Sequence, residues 1–234
     1  MKSLVALAGD LKRYTAMPEL RLDATPEEIA AFWETHRKGA PNCPKSTMAG
    51  FRNYARVCNK CALAQSRTQV VWGSGTTDAT LVFVGEAPGR NEDLGGEPFI
   101  GAAGKVLDEF LSVAGLNRKD VYIANVVKCR PPNNRNPLPD EIAACAPYLT
   151  IQLELIKPAV VVTLGKFASQ SLLNTTKGIS SLQGQMQQLE HFKVLPLYHP
   201  AATIYDRTKR EPFFEAATLL KQTLNLIENG ENNE

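Results

Sequence analysis

The sequence has no surplus of either charge. Its 234 residues carry 26 Lys and Arg against 24 Asp and Glu, a net of +2, so no bulk field announces a polyanion or a membrane surface, and any nucleic-acid contact must be a local basic patch. Long apolar runs are missing too. The longest, such as residues 159–164, fall far short of the roughly 20 residues of a membrane helix, which leaves a soluble protein with no membrane partner as the expectation. The start of the chain lacks the apolar core of a secretion signal: Lys2 and residues 3–8 end in Ala6-Leu7-Ala8, a faint cleavage-site mimic too short for one, and read as the first turns of a helix. Cysteine occurs in an odd number. Cys43, Cys58, Cys61, Cys129 and Cys145, without a secretion signal, argue against a disulfide framework and for reduced thiols in a cytoplasmic protein. What is present in ordinary measure, 44% hydrophobic residues with Gly 16 and Pro 15, excludes the disordered, collagenous and coiled-coil classes.

Residues 1–46 read as an N-terminal extension. Thr25, Pro26 and Glu28 form a helix start, with Thr25 as cap, and Ile29, Phe32 and Trp33 make one apolar stripe, so a helix packing on the main domain is expected there. Gly39, Pro41 and Pro44 mark a linker. Residues 47–228 then alternate short apolar runs, Leu81-Val82-Phe83-Val84, Val121-Tyr122-Ile123-Ala124, Val160-Val161-Val162 and Val194-Leu195-Pro196-Leu197, with helical periods near 106–114, 142–156, 167–173 and 213–227. The pattern predicts an α/β domain with a central, mostly parallel four-stranded sheet flanked by helices. The polar tail 229–234 is expected to be disordered. In such sheets ligands sit beyond the carboxyl ends of the strands, which directs attention to the loops beginning at Gly85, Asn125, Leu164 and Tyr198.

Two common phosphate motifs fail there. Gly104-Lys105 follows a glycine-rich stretch, but Phe99 and Val106 stand where a P-loop needs Gly and Ser or Thr, and Gly73-Ser74-Gly75 lacks the third glycine of a dinucleotide fingerprint. What remains is a carboxylate at a strand end, Glu86, a second acidic pair, Glu92-Asp93, the ring of Phe99 on a loop shaped by Gly and Pro, the amide of Asn125 and the imidazole of His199. An Asn side chain offers both acceptor and donors in one plane, the set that reads a nucleobase or amide edge. Cys58-x2-Cys61 with Cys129 and Cys145 supplies four thiolates, which suit either a 4Fe-4S cluster or structural zinc. Cys43, among Pro and Asn, is the odd one out.

Taken in order, Cys58-x2-Cys61, Arg67-Thr68-Gln69-Val70-Val71, Gly85-Glu86-Ala87-Pro88-Gly89, Glu92-Asp93, Gly96-x-Pro98-Phe99-x-Gly101, residues 125–132 (Asn-Val-Val-Lys-Cys-Arg-Pro-Pro) and His199-Pro200-Ala201 closely resemble the family 4 uracil-DNA glycosylases, the iron-sulfur branch of that superfamily. Residues 1–46 lie outside the resemblance. It implies a DNA-repair hydrolase that flips uracil out of DNA, cuts its N-glycosidic bond and leaves an abasic site. It further implies that Cys58, Cys61, Cys129 and Cys145 hold a structural 4Fe-4S cluster, that Phe99 stacks on the flipped uracil, that Asn125 reads its edge among Gly85, Ala87 and Gly89, and that His199 hydrogen-bonds its O2. Glu86, with Glu92, would orient the attacking water. Family 1 relatives carry Asp where this chain has Ala87, and Glu92 has a second role open to it, crowding the base C5 position against thymine.

The DNA itself is expected on local charges, Lys128, Arg130 and Arg135 on one loop and Arg207, Lys209 and Arg210 on another, with Ile204 as the wedge that fills the space left by the flipped base. The enzyme is expected to work as a monomer on uracil-containing DNA; a sliding clamp is a conceivable partner with no motif of its own. A competing reading is a uracil-DNA binding protein that traps DNA covalently. That branch carries a nucleophilic His after the Asn motif and tends to have Gln at the Ala87 position, whereas residues 129–140 here contain no His, so turnover is expected. A blander reading is a zinc-stabilised nucleotide-binding module without catalysis.

Overall fold

The four apolar runs become the parallel strands of one sheet. The structure is a computed structural model that describes residues 48–230; the expected helix after Thr25, the linker with Cys43 and residues 231–234 of the tail lie outside the described residues. In chain order the elements are α1 (Met48–Arg56), β1 (Ser74–Gly75), β2 (Leu81–Gly85), α2 (Arg90–Gly95), α3 (Ala102–Ala114), β3 (Tyr122–Asn125), α4 (Pro139–Ile156), β4 (Val160–Leu164), α5 (Lys166–Leu173), β5 (Gln187–Gln188), β6 (Lys193–Leu197), α6 (Pro200–Tyr205) and α7 (Arg210–Glu228), with short 3-10 turns between them.

The sheet order is β1-β3-β2-β4-β6-β5. The inner four, β3-β2-β4-β6, are parallel, as the alternation of elements predicts. The outer two extend the expected four strands to six. β1 pairs antiparallel with β3 and β5 antiparallel with β6, each only two residues long, too short and too polar to show a period of two in the sequence. Short edge strands of this kind also limit edge-to-edge pairing with other chains.

Strand geometry sends alternate side chains to opposite faces, and the core divides accordingly. Leu81 and Phe83 of β2 join Phe110 of α3 and Phe213 of α7 on one face, where the Phe110 and Phe213 rings lie 4.9 Å apart. Val82 and Val84 face the other way, into a cluster with Tyr148 and Ile151 of α4 and Ala168 of α5. Every residue of β2, β3 and β4 is buried, which is why these strands read as continuous apolar runs. Burying one such Leu or Phe side chain contributes about 1.5–3 kcal/mol, so the sheet ends form a stiff platform for the loops that follow them.

Candidate active site

Parallel pairing brings the strand ends to one edge. Gly85 and Asn125 are register partners at the last positions of β2 and β3, and β6 runs directly into Tyr198 and His199. Gly85 has no space for a side chain: an added Cβ would overlap Asn125 Oδ1 and come within 2.6 Å of two carbons of the Phe99 ring. The Phe99 ring in turn lies 5.6 Å from the His199 imidazole, inclined by 30°. Gly165, after β4, backs His199, since a Cβ there would meet His199 Cβ at 3.1 Å. Residues 85, 99, 125 and 199, far apart in sequence, thus come together as one wall at the sheet edge.

Phe99 reaches this position with φ +56°, in the left-handed region that side chains other than Gly seldom adopt. Its loop is tied at both ends. Glu92, in the first turn of α2, accepts from Gly89 N at 3.1 Å through one carboxylate oxygen and from Ile100 N and Gly101 N at 3.1 and 3.0 Å through the other. Its neighbour Asp93 is buried and accepts from Thr68 N at 2.9 Å, which fastens the preceding segment to α2. Arg118, just after α3, donates to the carbonyls of Phe99 at 2.5 Å and of Pro98 and Gly104 at 3.3 Å, while its Nε donates to Asp108. Sequence reasoning missed Arg118, because a guanidinium that binds main-chain carbonyls leaves no side-chain pattern; the Gly89-to-Glu92 spacing of a capping box was the available signal for Glu92.

Each polar group on the wall has a defined state. His199 caps α6, its Nδ1 accepting from Ala201 N at 3.2 Å. Burial pushes the imidazole down to about 4, with the nearby Glu92 charge opposing the shift. It is therefore neutral near pH 7, and with Nδ1 used as an acceptor the proton sits on Nε2, a donor for a ligand. Burial alone pushes the Glu86 carboxyl up to about 7. Asn125 is 2% exposed, and its Oδ1 lies against the Gly85 backbone next to the Phe99 ring. Ala87, half-buried, packs against the α4 side of the core.

Lys128 does not serve the DNA-facing role expected of it. It is 1% exposed, and its ammonium donates to the Asn125 carbonyl at 2.7 Å and to Gln152 Oε1, because the chain turns inward after β3 to reach Cys129. Burial lowers its pKa to about 8. The other charges vary. Arg207 is exposed; Arg130 donates to Asn134 Oδ1 at 2.7 Å; Arg135 makes a two-pronged pair with the buried Glu141 at 2.6 and 2.9 Å; Arg210 pairs with Glu109 at 2.6 Å and lies over the Phe214 ring. Ile204 is 43% and Tyr205 88% exposed at the end of α6, five and six residues beyond His199.

The four thiols form a second centre. Cys129 and Cys145 are buried and Cys58 and Cys61 half-buried, and they feel one another's charge: Cys58 and Cys61 both act on Cys129, and Cys58 and Cys129 on Cys145. Burial, the largest cause, pushes Cys129 up to about 11 and Cys145 up to about 12. Donors for thiolate sulfur are in place, with Arg67 Nη1 3.3 Å from Cys129 Sγ and Lys128 N 3.2 Å from Cys145 Sγ. Among the described residues no three His, Cys, Asp or Glu side chains form a group that could hold a metal ion.

The family profile described as Uracil DNA glycosylase superfamily matches residues 72–221. The chain is 51% identical over 166 residues to the type-4 uracil-DNA glycosylase of Archaeoglobus fulgidus, covering 67% of this chain and 82% of that one. It is 43% identical over 178 residues to the type-4 uracil-DNA glycosylase of Saccharolobus solfataricus, covering 72% and 82%, and 45% identical over 163 residues to that of Sulfurisphaera tokodaii, covering 66% and 74%.

Proposed function

The chain belongs to the uracil-DNA glycosylase superfamily, among the type-4 enzymes, and from that premise we propose that residues 47–228 excise uracil from DNA with the pocket of Phe99, Asn125 and His199. The observation that carries the assignment is the convergence at Gly85 of the buried Asn125 amide and the Phe99 ring, with the neutral His199 donor beside that ring. A flipped uracil would stack on Phe99. Asn125 Oδ1 would accept from uracil N3-H and its NH2 would donate to O4, while cytosine presents the reverse pattern at both positions and leaves two buried groups unpaired, at about 1–3 kcal/mol each.

The bond that breaks is C1′–N1. Its electron pair leaves with the base as a uracil anion, and the sugar becomes cation-like. His199 Nε2-H stabilises the charge where it develops, at O2, a donor of the kind worth about 3 kcal/mol. Water then adds to C1′ and gives its proton to Glu86, whose raised pKa of about 7 suits a general base near neutral pH. Glu92, with both oxygens held by backbone amides, acts on this reading by fixing the Phe99 loop rather than by activating water. Gly85 and Gly89 leave room for the base and for the Glu92 carboxylate.

Cys58, Cys61, Cys129 and Cys145 would hold the 4Fe-4S cluster, whose contribution is structural: it ties the segment before β1 to the loop after Asn125. The buried and half-buried thiols, with Arg67 Nη1 and Lys128 N placed to donate to Cys129 and Cys145 sulfur, suit a set of thiolate ligands. On the DNA side, Arg130 and Arg207 would meet phosphates, Arg135 and Arg210 would do so while keeping their carboxylate partners, and Ile204 would enter the duplex. The protein would act in the cytoplasm, where the DNA is. The test is Asn125→Ala on a uracil-containing oligonucleotide, read by alkaline cleavage at abasic sites: excision should be lost while DNA affinity and bound iron persist. Full uracil release by that variant, folded and cluster-loaded, would overturn the assignment, and a DNA adduct stable to denaturant in the wild type would favour covalent trapping instead.

A further inference from the structure

We propose that Arg118 is a positioning residue for base recognition, acting through the Phe99 backbone; the proposal rests on the uracil-excising reading above. Phe99 is the only member of the pocket wall with a left-handed backbone, at φ +56°, so its ring direction depends on whatever holds that conformation. Three of the carbonyls around the turn, those of Pro98, Phe99 and Gly104, point at one guanidinium. A single cation collecting three carbonyl dipoles defines the turn more tightly than any one hydrogen bond. The guanidinium is itself aimed by Asp108, one helical stretch earlier on α3.

The turn has no slack against this contact. A Cβ at Gly104 would collide with the Phe99 carbonyl oxygen and would sit 3.1 Å from the Arg118 guanidinium. The position therefore admits the carbonyl and the cation and little else. Arg118 is about one-third exposed and touches neither Asn125 nor His199, so it reaches the pocket only through the ring it orients. A lysine could serve one carbonyl but not three, since its ammonium is a compact point charge without the planar fork.

The decisive measurement is inhibition by free uracil, which reads the pocket without DNA, alongside steady-state excision from a uracil-containing oligonucleotide. In Arg118→Met the uracil inhibition constant and KM should both rise roughly tenfold, the order of one base-stacking contact, while kcat changes less. Arg118→Lys should fall between Met and wild type. In a Phe99→Leu background, Arg118→Met should add less than about twofold, because the ring it positions is gone. An unchanged uracil constant in Arg118→Met, or an undiminished effect in the Phe99→Leu background, would overturn the proposal. Should Arg118→Met fail to fold, Arg118→Lys decides alone: wild-type uracil affinity in it counts against Arg118. A wild-type protein that neither releases nor binds uracil would instead refute the underlying assignment.

Discussion

Gly85→Ala places one methyl group at the point where β2, β3 and the Phe99 loop meet. The backbone at Gly85 is not in the left-handed region, so the substitution asks nothing unusual of the main chain, and its effect is steric. The new Cβ would overlap Asn125 Oδ1 and lie 2.6 Å from Phe99 Cε2 and Cζ, whereas carbon atoms rest at about 3.5–4.0 Å. The ring must retreat by about 1 Å, while Arg118 holds the Phe99 carbonyl and the His199 imidazole lies beside the ring. Overpacking of this size costs about 1–3 kcal/mol of stability, and a shift of about 1 Å in a reacting group can cost 10²-fold in rate. We expect kcat/KM on a uracil-containing oligonucleotide to fall by about 10²-fold, with a modest drop in Tm. Gly178→Ala is the control: a Cβ there meets nothing within 4 Å, and both quantities should stay at wild-type values. Wild-type excision by folded Gly85→Ala would refute the placement of uracil between Phe99 and Asn125.

Glu86 should impose a pH limb: ionised only above about 7, it makes kcat/KM rise with pH through that value, and Glu86→Gln should lose both the limb and about 10²–10⁴-fold of the rate. Because the folded pKa lies above the ordinary carboxyl value, the stability it contributes is full below about 4.5 and is lost as pH rises through about 7, so Glu86→Gln should also flatten Tm over that window; a wild-type rate profile flat from pH 6 to 8 would remove Glu86 from the role of base. For the thiols, anaerobically purified protein should be brown with about four irons per chain. Ser at position 58, 61, 129 or 145 should bleach it and Cys43→Ser should not, and stoichiometric zinc without inorganic sulfide would sink the cluster assignment.

The strands were legible because burial on both faces leaves β-branched and aliphatic residues in unbroken runs. The edge strands β1 and β5 were not, since two residues such as Gln187 and Gln188 carry no periodicity and pair through backbone alone. Asn125 and His199 could be found at strand ends from order and spacing. The tautomer of His199 could not, because it follows from the Ala201 N-H that α6 presents to Nδ1. Lys128 was misread for a related reason: charge in a sequence suggests solvent, yet Gln152 and the Asn125 carbonyl, brought together by α4 and β3, make a buried seat for it. Arg118 lies 19 residues from Phe99 and recognises a carbonyl that every residue has.

The backbone of the Phe99 turn is gripped by two opposite charges. The Glu92 carboxylate collects the N-H groups of Gly89, Ile100 and Gly101, and the Arg118 guanidinium collects the carbonyls of Pro98, Phe99 and Gly104. A left-handed residue other than Gly costs on the order of 1–3 kcal/mol, whereas a hydrogen bond to a charged group contributes about 1.5–3 kcal/mol. Even with the two 3.3 Å contacts of Arg118 discounted, its bond to the Phe99 carbonyl and the three Glu92 bonds are enough to offset the strain, so the turn holds its shape before any base arrives. Stacking on such a ring does not have to order the loop first, which lowers the cost of binding. It also separates two duties that the sequence places side by side: Glu92 and Arg118 shape the slot, while Asn125, His199 and Glu86 are left to read the base and act on the bond.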